Sequence, residues 1–519
     1  MQYPFIHYFC SLRKLSILRI LKYIIYTIGF IYLLISFNYG INIYDEGLVL
    51  VGGMRVLSGD IPYLDFWTIY SPGVYYFSAL IQLFSEQIWL HKFLAVVFNF
   101  IIAFQLNRIF NLLTNKRNYA VFIASIVLTG FGLRYIDPAG LGLMIALFSV
   151  VQTLKYFKSS DEKHILYSGL LIGLTSLVRH DFAAYLFIPV LMSLLFDINK
   201  ENLLRKVGKL MLGLLPAIFI YAILGAIVGY SNIIEQLIIF PLTEFSVTRS
   251  LPFPLIWEAR AISDSVSNYV FNIWLALVFL LPPVLAILNY ILYRRHKHAS
   301  LFIYYGLLVL LFYNQALNRS DYSHLLPSLL LSLPLLFAIV YSMQVQFYRR
   351  VGVIVVTIVL LLMPIGKKLK YVKQNYMSNT LVKANLDRMD FIYIEPIQRA
   401  QFSYLAELNS KIIQGEPTFI GLKNMSSIEV NNVLSYYILG LNPVVKYHEL
   451  HPGIADKQTY QTELLYSLFE KNKYVILLNM ESKRQVANDN YFKDNLMNGY
   501  RYIIKSHELD LLVNKSVTP

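Results

Sequence analysis

The chain has 519 residues, 56% of them hydrophobic and 15% charged, with a net charge of +14 and a mean hydropathy of +0.52. A soluble domain carries roughly 25% charged residues, so these values exclude an ordinary water-soluble protein and point to the bilayer. The lone cysteine, Cys10, excludes an intrachain disulfide and any cysteine-based metal site.

Arg13, Lys14, Arg19 and Lys22 surround the first apolar run, which has no small-residue cleavage site. That pattern predicts a signal anchor retained as the first helix. Runs long enough to span, by a threshold of roughly 17–25 residues, fall at 17–37, 88–113, 119–135, 138–157, 163–178, 181–197, 206–229, 269–293, 299–316, 322–342 and 349–365. Between the first two, residues 46–59 predict an interfacial helix, with Leu50, Met54 and Leu57 on one stripe and Gly52–Gly53 permitting close packing. "SPGVYYFSALIQLFS", residues 71–85, is about half a bilayer long at ~1.5 Å per residue and predicts a helix in or dipping into the interface. The segment 230–268 mixes apolar pairs, prolines and single charges, as either surface cover or a substrate-facing lid would. Pro282 and Pro283 predict a kink in the span at 269–293, because proline removes backbone donors.

Beyond "PIGKKLKYVKQN" the composition turns polar and no spanning run follows. "PTFIG", "KYVILLN" and "GYRYIIKSHELDLLVNK" predict strands, the last a strand pair, and "TELLYSLFEK" predicts a helix. The fold class expected is a polytopic α-helical membrane protein of about eleven spans. Residues 1–365 form its membrane domain, with an outer loop at 38–87, and residues 366–519 form a soluble α/β domain.

Charge assigns the sides. With the N-terminus in the cytoplasm, the inner loops collect 19 basic residues against four acidic ones, and the outer loops seven against twelve. Cytoplasmic loops are enriched in Lys and Arg, so this orientation is preferred and the C-terminal domain is extracytoplasmic. Counting 71–85 as a full span would reverse the later loops and put "NKRN" outside. The positive charge, including "RRHKH" at 294–298, is thereby read as an orientation signal rather than a nucleic-acid surface.

Ionisable residues gather at the outer level. Asp45 and Glu46 follow the first span; "GLRYIDPAG" adds Arg134 and Asp137; "LVRHDFA" adds Arg179, His180 and Asp181; "ALNRSDYSHLLP" adds Arg319, Asp321 and His324. Opposite charges two residues apart neutralise one another, which is the plain structural account of any single pair. Several such loops at one level point to a polar site, since ionisable groups near hydrocarbon are expensive and face cavities or partners. His448, Glu449 and His451 in "YHELHPG" have no further ligands near in sequence, and the structural account is preferred over a metal. No P-loop, dinucleotide fingerprint, Ser-His-Asp order or zinc-protease motif occurs.

"YDEG" after the first span, "GDIPYLDF" some fifteen residues later, "SPGVYY", "VRHDF" and "NRSDYSHLLP" together resemble the GT-C superfamily of polytopic glycosyltransferases. The likeness is to the bacterial group related to protein O-mannosyltransferases and the lipid A aminoarabinose transferase. "NNVLSYYILGLNPVVKYHELHPGIAD" is similar to a stretch of some members. The resemblance implies an inverting transferase of the bacterial inner membrane, moving a sugar from a polyprenyl-phosphate donor to an extracytoplasmic glycan, lipid or protein. It implies Asp45 as base with Glu46 beside it, Arg179, Arg319 and His324 for the donor phosphate, and Asp137, Asp181 and Asp321 as acidic support. A divalent cation is optional, because some relatives coordinate one and others need none. One departure stands out: several relatives carry a Lys or His before a Pro-Pro pair, where this chain reads "TIYSPGVYY", with Tyr70 and Ser71 and no cation. A transporter or flippase, or a polysaccharide ligase or polymerase, is the alternative. The first predicts internal repeats and mid-membrane charges, and the second gives no reason for an Asp-Glu pair directly after the first helix.

Overall fold

The computed structural model describes all residues except 1–19, 117, 196–201, 264, 295–298, 343–346, 378–379, 427–428, 481–490 and 517–519. The expected signal anchor's Cys10, Arg13, Lys14 and Arg19, the basic residues Arg117 and Lys200, and most of "RRHKH" lie outside the described residues.

Six helices are long and apolar enough to cross a membrane: Ile88–Thr114, Pro138–Ser159, Leu203–Val228, Val266–Tyr293, Ala299–Asn318 and Tyr322–Val340. Four shorter apolar helices, Ile20–Leu34, Ala120–Gly132, Lys163–Val178 and His180–Leu195, fill other predicted spans. A further helix, Phe347–Met377, covers the run at 349–365 and continues a further dozen residues past it. The chain is thus a multi-pass membrane protein with a small C-terminal sheet domain. The helix at 266–293 breaks at Leu280, and Pro282 stands in the first turn of the segment that restarts at Leu281. Proline tolerates that position because the backbone donor it lacks is unsatisfied there anyway. Close helix contacts rest on small residues. A Cβ on Gly169 would meet the Leu210 carbonyl at 2.2 Å, and one on Gly213 the Leu166 carbonyl at 2.4 Å. These approaches bring 163–178 against 203–228 at a distance larger residues forbid.

Two short helices follow the first span, α1 (Ile20–Leu34): α2 (Asp45–Leu57) and α3 (Gly73–Gln82). The ten residues of α3 are about 15 Å long, half a bilayer. Gly52 and Gly53 of α2 pack on α3, where added Cβ atoms would meet the Tyr75 ring at 2.1 Å and Gln82 Nε2 at 2.5 Å. The predicted interfacial position of α2 differs from the observed one. Leu48, Val49, Leu50 and Val51 are all buried, because α2 is covered by protein on both sides. Its other face meets the short helix Leu434–Leu439, and a Cβ on Gly47 would meet Leu434 N at 2.6 Å.

The C-terminal sheet has the order β1(418–422)-β2(474–478)-β4(509–514)-β3(500–505). The first pair is parallel and the others antiparallel, with β3 and β4 as the expected strand pair, bulged between Tyr502 and Ile504. The predicted helix is present as Gln458–Lys471. One face of the sheet shares a core with Tyr44, Leu48, Leu50 and Val51, and the other packs near Trp67 and Phe240. Backbone hydrogen bonds fasten the domain to the segment between the first span and Ile88: Leu434 N to Ile43 O (2.9 Å), Trp67 N to Lys446 O (3.0 Å) and Ile88 N to Arg388 O (2.9 Å). Arg55, buried in α2, is a second fastening. Its guanidinium donates to Asp60 (2.7 Å), the Val445 carbonyl (2.8 Å), the Asp65 carbonyl (2.9 Å) and His448 Nδ1 (3.2 Å).

The closeness of Gly47 to a backbone nitrogen makes the junction testable. Gly47→Ala should cost about 1–3 kcal/mol by overpacking, read as a lower thermal midpoint in detergent. An unchanged midpoint would mean that α2 and 434–439 separate freely.

Candidate active site

Loops from several helices converge around Asp45, and Asp45 and Glu46 have different surroundings. Successive helical residues point about 100° apart. Glu46 turns inward, where Lys92 Nζ lies 3.1 Å and 3.2 Å from its two carboxylate oxygens and both side chains are only 2% exposed. The Asn42 backbone N–H also donates to Glu46, at 3.0 Å. Asp45 is half-buried and receives a hydrogen bond from Asn42 Nδ2 at 3.0 Å and a long one from the Tyr135 hydroxyl at 3.4 Å. Asn42 also accepts from the Asp45 backbone N–H at 2.8 Å, fixing the first turn of α2.

Asp137 precedes the helix Pro138–Ser159 and caps it by accepting from Gly140 N–H. Burial raises its carboxyl to about 6, while the Gly140 N–H and Arg179 pull the other way; Asp45 and His324 are also within electrostatic reach. Arg179 ends the helix Lys163–Val178 and grips Asp181 through two parallel bonds, Nε at 2.8 Å and NH2 at 3.0 Å. Next to it, His180 meets Ser71 of "SPGVYY" at 3.2 Å, through both its backbone N–H and Nδ1. The third charged loop repeats the arrangement: Arg319 Nε donates to Asp321 at 3.0 Å, and His324 contacts Asp321 through its backbone N–H (2.9 Å) and Nδ1 (2.8 Å).

Of the expected residues, Asp45, Asp137, Arg179 and His324 therefore share one electrostatic neighbourhood. Asp181, Asp321 and Arg319 border it as partners of Arg179 and His324, while Glu46 sits behind it with Lys92. Asp181 is gripped by Arg179, Asp321 by Arg319 and His324, and Asp137 by a helix end. These commitments do not fit a divalent-cation cage, which needs several carboxylate or carbonyl oxygens turned to one point. Among the described residues, no group of three or more His, Cys, Asp or Glu could hold a metal ion. His448 and His451 are packed rather than presented: burial holds His448 well below the usual histidine range and His451 down to about 3, keeping both neutral.

Other residues reach the site from segments that carry no recognisable motif. Tyr70, whose hydroxyl burial pushes up to about 12, interacts with Asp45, Arg179, Arg249 and Glu449. Arg249 lies 5.8 Å from the Tyr44 ring centroid. It belongs to the 230–268 segment, a run of short helical turns from Tyr230 to Thr248 followed by Ile256–Glu258. That segment is fastened across the site. Gln236 bonds Thr68 N–H (2.9 Å) and the Tyr63 carbonyl (3.1 Å), Lys457 pairs with Glu244 (2.9 Å), and Leu251 forms a bridge with Arg319. Lys92 had a signal available, as a lone charge near the start of an apolar span.

Over nearly its whole length the chain shares the fold of a solved bacterial protein, ArnT. The structure of ArnT from Cupriavidus metallidurans in the apo state is similar at TM-score 0.54 and 10% identity, covering 98% of this chain and 100% of that one. The same protein bound to undecaprenyl phosphate is similar at TM-score 0.52 and 10% identity, covering 96% and 99%. No family model and no curated protein sequence matches the chain.

The Glu46–Lys92 pair gives a stability test. Lys92→Met leaves a buried carboxylate uncompensated and should cost about 3–5 kcal/mol. Adding Glu46→Gln should recover most of it, and a double variant as unstable as the single one would show that the pair is not coupled.

Proposed function

We propose that the protein is an inverting glycosyltransferase of the cell envelope that moves a sugar from a polyprenyl-phosphate donor to an extracytoplasmic acceptor. The observation that carries this reading is the half-buried Asp45 carboxylate, oriented by Asn42 and Tyr135 and sharing its electrostatic neighbours Asp137 and Tyr70 with Arg179, and Tyr70 also with Arg249. The undecaprenyl phosphate bound to ArnT, which has this fold, supports a lipid phosphate as the carrier. The positive-inside charge pattern supports an outward-facing site and an extracytoplasmic C-terminal domain.

In this reading the acceptor hydroxyl attacks the anomeric carbon, and its proton passes to Asp45. The bond between that carbon and the phosphate oxygen breaks, its electron pair leaving with the polyprenyl phosphate. One displacement inverts the anomeric configuration. Arg179, Arg249 and Arg319 neutralise the departing phosphate, for which arginine's planar fork suits better than lysine. Arg249 takes the part for which "TIYSPGVYY" offers no cation. His324 supports the phosphate end and Glu46 holds α2 in place.

Purified protein incubated with undecaprenyl-phosphate mannose, glucose and aminoarabinose should consume one of them when an acceptor extract is added. Asp45→Asn should reduce that transfer by about 10²–10⁴-fold with an unchanged thermal midpoint. Turnover near the wild-type rate in that variant would remove Asp45 as the base. Failure of every donor would remove the proposed reaction.

A further inference from the structure

The run "GKKLKYVK", residues 366–373, carries four lysines and no acid, where the helix Phe347–Met377 leaves its apolar stretch. The reaction scheme uses none of them. A basic run at the end of a span ordinarily fixes orientation or reaches out to water. Neither account fits Lys368. Its helix ends on the Asp45 side, because the Arg134 guanidinium lies 4.5 Å from the Tyr371 ring centroid, and the next residue, Tyr135, bonds Asp45. The positive-inside pattern makes that the side poor in basic residues. Nor does Lys368 reach water. It is 6% exposed, its Nζ donates to the Tyr32 carbonyl at 2.7 Å, and it lies 4.1 Å from the centroid of that ring. Gly130 makes the room, since a Cβ there would stand 3.3 Å from Lys368 Nζ and 3.0 Å from the Tyr32 ring.

Lys368 and Arg134 line one cavity, with Ser36 and Asn99 as its other polar members. Its volume is about 20 Å³, room for a single oxygen or water. An ammonium has three donors, and the Tyr32 carbonyl takes one. The Asn99 amide is spent on the Leu133 carbonyl at 2.7 Å. Among the described residues, neither Lys368 nor Arg134 forms an ion pair with a carboxylate. Two cations beside one cavity repel each other and are costly to bury until an anion joins them. Apolar stripes flank them on both sides. Ile28, Ile31 and Ile35 are exposed along α1 and just beyond it, and Val355, Ile358, Leu362 and Leu369 along the longer helix. The spacing keeps each set on one face.

We propose that Lys368 and Arg134 form a second anion site, separate from Asp45, that binds the phosphate of a negatively charged membrane phospholipid. One phosphate oxygen enters the cavity, where the planar fork of the arginine and the point charge of the lysine both favour it. The two stripes match a lipid with two acyl chains. Lys367, Lys370 and Lys373 add attraction for an anionic bilayer surface. This inference goes beyond the proposed sugar transfer and does not depend on it.

The test is binding to the purified full chain in neutral detergent, read by titration with dioleoyl phosphatidylglycerol and, separately, dioleoyl phosphatidylcholine. The first should bind about tenfold more tightly, and Lys368→Gln should remove most of that preference. Arg134→Gln should do the same and keeps the test open if the Lys368 variant does not fold. Lys368→Arg should retain the preference, and Lys411→Gln, which removes an equal charge from an exposed pair with Glu407, should leave it unchanged. Equal binding of the two lipids would overturn the inference, as would a preference that survives both glutamine variants or falls as far in Lys411→Gln. A loss confined to undecaprenyl phosphate would assign these residues to the donor and overturn the separate site. A loss confined to inorganic phosphate would overturn the lipid.

Discussion

The arrangement depends on a buried ion pair at the point where the first span leaves the membrane. Glu46 and Lys92 are both sealed from solvent and separated by 46 positions in sequence. Each charge alone would be prohibitively placed, and together they fix α2 against the start of the helix Ile88–Thr114. With Glu46 drawn inward, the preceding residue, Asp45, must point elsewhere, toward Asn42 and Tyr135, because neighbouring positions on a helix diverge by about 100°. The acidic dipeptide therefore divides its labour, with one carboxylate anchoring the helix and the other left half-exposed at its end.

Once α2 is fixed, the remainder of the outer face assembles on it. Gly52 and Gly53 let α3 lie close on one side, and Gly47 lets the helix Leu434–Leu439 approach on the other. Arg55 ties the Asp60–Asp65 turn to the His448 strand of loop, whose next residue is Glu449. A segment that reads as an interfacial helix thus becomes the shared core between membrane and C-terminal parts. The site is a consequence of that packing: the loops that carry Asp137, Arg179 and Arg319 belong to helices packed around this hub, while Arg249 and Glu449 arrive from segments fastened to it.

What could be read in the sequence follows from physical range. Spans were legible because hydrocarbon imposes a long, local apolar signal, and the strands at 418–422, 474–478 and 500–514 because β-branched runs are equally local. The gathering of Asp45, Asp137, Arg179 and His324 was legible because each lies in a charged loop between apolar spans. The distinction between Asp45 and Glu46 was not, since it depends on pairing with Lys92, 46 positions away in the sequence. Nor were Arg249 and Glu449. The first is a lone cation in a mixed segment, and the second sits in a His-rich loop that invites a metal reading. Both acquire meaning only from contacts more than a hundred residues away. The burial of α2 was missed for the same reason: its amphipathic stripe is genuine, but protein rather than lipid covers the other face.

The repeated Arg-x-Asp spacing deserves a physical reading beyond neutralisation. In each case the aspartate two residues on takes the Nε edge of the guanidinium, at 2.8 Å for Arg179 and 3.0 Å for Arg319. A guanidinium held by that edge cannot swing, and for Arg319 the pairing described uses Nε alone. The aspartates lower the cost of placing arginines beside hydrocarbon and aim them at the same time. Such pairs add little net charge to this neighbourhood, so attraction of an anionic lipid cannot rest on them alone.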